Sequence, residues 1–135
     1  MPIQLDIVTP SGAAYRGEVD GVVLPGSEGD FGVLPGHERF LCPLRVGEVQ
    51  IQTGGRTIYA AIADGFADVS AKQVAVLVDS CELAENIDVA RAELAVQRAE
   101  QHLAELPRDA EAARIAEFEA ALERARNSLE VSRRG

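Results

Sequence analysis

In the first part of the chain, apolar and polar residues alternate in short runs. Ile3, Leu5 and Ile7 are interleaved with Gln4 and Asp6, a period of two that gives a strand one buried face. Val49, Ile51 and Thr53 are interleaved with Gln50 and Gln52 in the same way. Gly54-Gly55 follows and Arg56 to Ile62 returns, which predicts a hairpin, because paired glycines accept the primed turns that match strand twist. Val19 to Leu24 leads into a glycine-rich stretch, and Asp64-Gly65 is a second turn signal. Val74 to Val78 is apolar throughout and predicts a strand covered on both faces. Short strands punctuated by turns at intervals of about 8 to 12 residues predict a sandwich or flattened barrel.

The texture changes near Glu85, after which no glycine occurs until Gly135. Val89, Ala92, Val96, Ala99, Leu103 and Leu106 follow one another at spacings of 3, 4, 3, 4 and 3, one apolar seam on a helix. Asn86 or Asp88 can cap its start, and Pro107 ends it, since proline disfavours helix in the residue before it. Asp109 is the expected cap of a second helix, with Ile115, Phe118, Leu122, Ala125 and Leu129 as its seam. Ala92, Ala95 and Ala99 allow close approach. The predicted fold is therefore α+β: an antiparallel β-sandwich over residues 1–84, then a two-helix antiparallel hairpin over residues 85–135.

The hairpin is expected to lean on something else. Its large seam residues are Val89, Val96, Leu103, Leu106, Ile115, Phe118, Leu122 and Leu129. At about 1.5–3 kcal/mol each they supply roughly 12–24 kcal/mol as an upper bound. Ordering roughly 40 residues costs about 1–2 kcal/mol each in backbone entropy. Helices of this length are marginal alone. A pair so balanced depends on its packing partner and can exchange between two partners.

The bulk numbers narrow the function. The chain has 135 residues, 47% of them hydrophobic, with no Trp and 4% aromatics, so its core is aliphatic. A net charge of −9 with Lys72 as the sole lysine argues against nucleic acid or an anionic membrane surface as partner. No apolar run approaches the roughly 20 residues of a membrane span. The amino-terminal MPIQLDIV starts in a strand pattern without a basic, apolar leader, so no export or transit signal is expected. Cys42 and Cys81 read as buried free thiols, and with His37 and His102 they lack metal-ligand spacing. His102 reads as a solvated helix-face residue. Residues 86–135 are nearly balanced in charge and end basic, with Arg124, Arg126, Arg133 and Arg134. These arginines suit either the helix macrodipole or an acidic partner surface.

Gly26 to His37, GSEGDFGVLPGH, holds four glycines and follows Pro25. It is no phosphate loop, because no Gly-Lys-Ser/Thr follows and Glu28 and Asp30 would repel phosphate. Tight turns around a short buried strand are the expected structure. Ser27, His37 and Asp30 or Asp64 form a nominal serine–histidine–acid set, but no nucleophile-elbow pattern surrounds any serine or cysteine. No catalytic or metal residue is assigned.

Two stretches carry a resemblance. Ser27 to His37 (SEGDFGVLPGH) resembles the signature of the epsilon subunits of rotary F-type ATP synthases, and Val74 to Ala92 (VAVLVDSCELAENIDVARA) resembles their passage from last strand to first helix. In order and spacing the likeness covers nearly the whole chain. It implies the same sandwich-plus-hairpin fold in a non-catalytic central-stalk subunit. Such a subunit couples gamma to the c-ring in proton-driven ATP synthesis and restrains ATP hydrolysis through its helices. By resemblance, Glu28, Gly29 and Asp30 face the c-ring and His37 lies toward gamma. With the helices extended, Arg124, Arg126, Arg133 and Arg134 would meet the acidic alpha/beta catalytic head. The implied location is peripheral, on the cytoplasmic face of the bacterial plasma membrane.

Some members bind ATP in the folded hairpin through an Ile-Asp-x-x-Arg-Ala motif, intact here as Ile87, Asp88, Arg91 and Ala92. Glu82, Arg98 and Arg124 match further positions used in those members. Ser128 stands where they carry another arginine, Glu38-Arg39 replaces the usual Ala-Pro after Gly-His, and Asp64 replaces a glycine. The resemblance thus implies no required cofactor, with weak regulatory ATP as the candidate ligand. The alternative is a free-standing sandwich that binds a ligand or peptide, with the helices as a dimerisation hairpin.

Overall fold

The computed structural model describes residues 2–134. Ten strands precede two helices: β1 (Ile3–Thr9), β2 (Gly12–Val19), β3 (Gly21–Gly26), β4 (Gly29–Val33), β5 (Phe40–Leu44), β6 (Gly47–Thr53), β7 (Arg56–Ile62), β8 (Gly65–Val69), β9 (Gln73–Val78), β10 (Cys81–Leu83), α1 (Val89–Glu105) and α2 (Ala112–Ser132). They form a sandwich of two layers, β4-β3-β6-β7-β10 and β5-β8-β9-β1-β2. One edge of β3 is shared: Gly21 to Val23 pair with β6, and Gly26 pairs with Leu44 of β5. Every pairing is antiparallel except β1 with β9, which is parallel.

Alternation sets the main core. Ile3, Leu5 and Ile7 of β1 lie beside Val74, Val76 and Val78 of β9 in one layer and share a core with Val49 and Ile51 of β6 in the other, all buried. The Gly54-Gly55 hairpin forms as read, with Thr53 opposite Arg56 and φ of 58° and 78°, both needing glycine. The Val19–Leu24 run breaks at Asp20, where the chain leaves β2 for β3. Asp64-Gly65 is no hairpin turn but the step from β7 in one layer to β8 in the other. Only one face of the VAVLV strand is covered, since Leu77 is 56% exposed. The outer faces of the sandwich carry no second layer there. In the glycine-rich stretch, β4 is an edge strand and of its residues only Val33 is buried.

The helices pair as an antiparallel hairpin. Asp88 is the cap of α1, its carboxylate accepting from the Arg91 amide at 3.1 Å. Asp109 does not cap α2: Pro107 and Ala110 close a turn first, and the helix starts after Glu111 without a side-chain cap. Val89, expected on the seam, is 45% exposed. It lies about 60° around the helix from Ala92, at the first turn.

A second, smaller core joins hairpin to sandwich. Ala61, Ala84, Ile87, Ala92 and Val131 are buried together, with Tyr59 and Leu129 packed against them. The Asn127 amide donates to the Gly47 carbonyl at 2.9 Å, and Arg134 reaches Glu48 at 3.0 Å. The hairpin is therefore folded back on the β6–β7 face.

Candidate functional site

The predicted partner residues fall at two ends of the sandwich. Ser27 and Glu28 form the turn between β3 and β4, where Gly26 pairs with Gly29. Glu28, Gly29 and Asp30 are exposed, and Arg45 pairs with Asp30. The Ser27 amide donates to the Pro43 carbonyl at 3.0 Å, which fixes this turn beside β5. His37 lies beyond the other end of β4. The amide of Gly36 donates to the Ala71 carbonyl at 2.9 Å, holding that loop on the β8–β9 turn. The exposed imidazole lies 5.0 Å from the Phe40 ring, which meets Phe31 edge-on at 5.6 Å. Its Nδ1–H donates to the Glu38 carbonyl at 3.0 Å. A strand of this length separates Ser27 from His37 by roughly 16 Å, so the nominal triad does not assemble.

Beside the Ser27 turn lies a surface that pattern reading missed. In the register of β5, β8, β9 and β1, Pro43 pairs with Phe66, Phe66 with Leu77, and Leu77 with Val8. These side chains point away from the core in one apolar row. Phe66 is 52% exposed, and Leu41 of β5 and Leu34 are 67% and 65% exposed. The row floors an open cleft of about 730 Å³ whose polar rim is Arg45, Asp64 and Asp79. Its signal in the sequence was parity: each of these residues alternates with a core residue.

The candidate nucleotide residues gather under the hairpin. Glu82, Ile87, Asp88, Arg91, Ala92 and Arg124 line a cleft of about 580 Å³, and Ser128 lies on the same wall. Arg98 lines a neighbouring groove of about 450 Å³, which Arg91 and Arg124 share with it. Its floor is Leu94, Ala95, Phe118 and Ala121, and its one acid is Glu117. His102 is exposed yet leans on the Phe118 ring at 5.2 Å, so it belongs to the contact between helices. The Asp88 carboxylate accepts the helix-cap bond, and with Glu82 it balances the charges of Arg91 and Arg124 in the cleft. Nearby, burial and then the Glu82 charge push the Cys81 thiol up to about 11. Cys42 and Cys81 are both free and half-buried.

The terminal arginines separate. Arg126 pairs with Glu100 across the helices at 3.7 Å. Arg134 binds Glu48 and lies 5.7 Å from the centre of the Tyr59 ring. Arg124 faces the cleft, and Arg133 is exposed. Among the described residues no His, Cys, Asp and Glu cluster could hold a metal ion, and no helix is long and apolar enough to cross a membrane.

Residues 2–84 match the family model of the ATP synthase delta/epsilon chain β-sandwich domain, and residues 85–133 match that of its long α-helix domain. The ATP synthase epsilon chain of Nitratidesulfovibrio vulgaris is 43% identical over 129 residues, 96% of this chain and 94% of that one. That of Bacillus pumilus is 38% identical over 130 residues, 96% of each chain. Among solved structures, a chain of the Euglena gracilis mitochondrial ATP synthase OSCP/F1/c-ring assembly superposes with a TM-score of 0.79 at 25% identity, covering 97% of this chain and 81% of that one. A chain of the Tetrahymena thermophila central stalk/c-ring assembly shares the fold, with a TM-score of 0.62 at 9% identity over 98% and 97% of the two chains.

Proposed function

The chain belongs to the delta/epsilon family of ATP synthase chains, and from that premise we propose that it is a non-catalytic rotor subunit joining gamma to the c-ring and restraining ATP hydrolysis through its hairpin. The observation that carries this reading is the unequal build of the two parts. The main core draws its buried residues from Ile3 to Val78, whereas the hairpin is attached through a small, alanine-rich core. A self-sufficient module suits permanent docking, and a weakly attached hairpin suits exchange between partners. The Euglena relative's place in an OSCP/F1/c-ring assembly supports a central-stalk position. In that position the chain is peripheral, on the cytoplasmic face of the bacterial plasma membrane.

The apolar row of Val8, Leu77, Phe66 and Pro43, with Leu41 next to it on β5, supports docking to gamma. The exposed Glu28-Gly29-Asp30 turn supports contact with the polar loops of the c-ring. Phe66→Thr with Leu77→Thr tests the first. Both side chains are more than half exposed, so the unfolding midpoint of the isolated chain should hold while co-purification with gamma is lost. Gamma binding retained by the folded double variant refutes the docking face.

The cleft under the hairpin supports a second role, weak regulatory binding of ATP. Guanidinium groups from both helices converge there, and their forks suit phosphate oxygens. Arg124 contributes only while the hairpin is folded, so ATP would favour the folded, non-inhibitory form. Calorimetry with ATP at millimolar concentration should give heat that Arg98→Ala reduces. No heat, or equal heat from the variant, makes the arginines surface charge.

A further inference from the structure

The second helix has two working faces. Ile115, Phe118, Leu122, Ala125 and Leu129 form its seam toward α1. Asn127 and Val131, four apart, lie on roughly the opposite side of the helix, and Arg134 follows in the turn after its end at Ser132. Each member of this stripe meets the sandwich. Asn127 donates to the Gly47 carbonyl at 2.9 Å, Val131 is buried at 1% exposure beside Ala61 and Ile87, and Arg134 Nε donates to Glu48 Oε2 at 3.0 Å. Glu48 is itself positioned, since Gln50 donates to its other oxygen at 3.3 Å and its side chain is only 17% exposed. The guanidinium also lies 5.7 Å from the Tyr59 ring centre, on the neighbouring strand. The polar partners, Gly47, Glu48 and Tyr59, lie outside the cleft that holds Arg91 and Arg124, and only Ile87, beside Val131, borders both.

We propose that this stripe is a latch that keeps the hairpin folded without nucleotide, and that the Arg134–Glu48 pair is its salt-sensitive part. Opening unpairs Glu48 and exposes Val131, so the latch favours the closed form of the isolated chain, and salt weakens the ionic part of the closure. The inference rests on the proposed exchange of the hairpin between partners.

The test uses the full chain without nucleotide and reads amide hydrogen exchange along α2. Glu48→Gln keeps an acceptor but removes the charge, and should speed exchange over residues 127–134 by about two- to five-fold at low salt, with less effect at high salt. Asn127→Ala with Arg134→Ala should speed it on the order of tenfold. The reversal Glu48→Arg with Arg134→Glu should recover most of the protection. Amides of β1 and β9 should not change. Unchanged exchange in α2, or equal acceleration in β1 and β9, overturns the latch. Glu48→Gln, which leaves Arg134 available, is then assembled into the motor complex, where it should deepen inhibition of ATP hydrolysis. Faster α2 exchange with unaltered hydrolysis keeps the latch and overturns the inhibitory reading of the hairpin.

Discussion

Ending the chain after Ala84 removes both helices and should leave a folded sandwich. The buried residues of the main core run from Ile3 to Val78, and no helix contributes to them. What the sandwich loses is small. The methyl groups of Ala61 and Ala84 return to water, about 0.8 kcal/mol each. The Asn127 bond to Gly47 contributes about 1 kcal/mol, and the half-exposed Arg134–Glu48 pair less than about 1 kcal/mol. With partial exposure of Tyr59, the sum is about 3–4 kcal/mol, against about 5–15 kcal/mol for an ordinary domain. Urea unfolding followed by far-ultraviolet circular dichroism should therefore stay cooperative, with a lower midpoint and a smaller m-value. The truncated chain should still join gamma and the c-ring, and ATP hydrolysis should lose any restraint the helices impose. A broad transition, dye-binding exposed core or aggregation at micromolar concentration would refute the reasoning, because the helices would then complete the core.

Gly65→Ala should destabilise the sandwich by about 3 kcal/mol, since the new Cβ would sit 2.0 Å from the Leu77 carbonyl and 2.8 Å from Val78 Cα, backbone atoms that move only with β9; an unchanged melting temperature would contradict the close approach. Asp88→Ala should cost about 1 kcal/mol of helix stability by freeing the Arg91 amide, read as faster exchange in the first turn of α1 with no effect on β1. The Cys81 thiol, raised from 9.0 to about 11, stays protonated at pH 8 and should alkylate slowly until the chain unfolds. Because the folded thiol holds its proton after the unfolded one has lost it, stability should be full below about pH 9 and fall between about pH 9 and 11. Cys81→Ser should flatten that fall.

Much of the fold was legible because it is written in local period. Ile3, Leu5 and Ile7 could face inward together only in a strand, and the 3, 4 spacing from Ala92 to Leu106 only in a helix. Gly54-Gly55 fixed a hairpin and Asp88 a helix start through chemistry within four residues. The candidate site was legible in part: the motif from Ile87 to Ala92 and the arginines at 98 and 124 named groups that the fold brings to two adjoining clefts. Where the reading failed, the deciding contact was distant in sequence for Leu77 and local but unmarked for Asp109. Leu77 looks like a core residue until the sandwich leaves its outer face open beside Phe66, and Asp109 looks like a cap until Pro107 and Ala110 close a turn before the helix. Val131 and Asn127 break the seam of α2, so no period marks them; they matter because the helix lies between α1 and the β6–β7 face, and Gly47 and Glu48 are some 80 residues away. Local sequence thus determined which segments are strands, turns and helices, since backbone preference and side-chain parity act over a few residues. Tertiary structure decided which faces are covered, that β1 and β9 run parallel, and that the hairpin lies closed on the sandwich, because burial is a property of what the whole chain brings near.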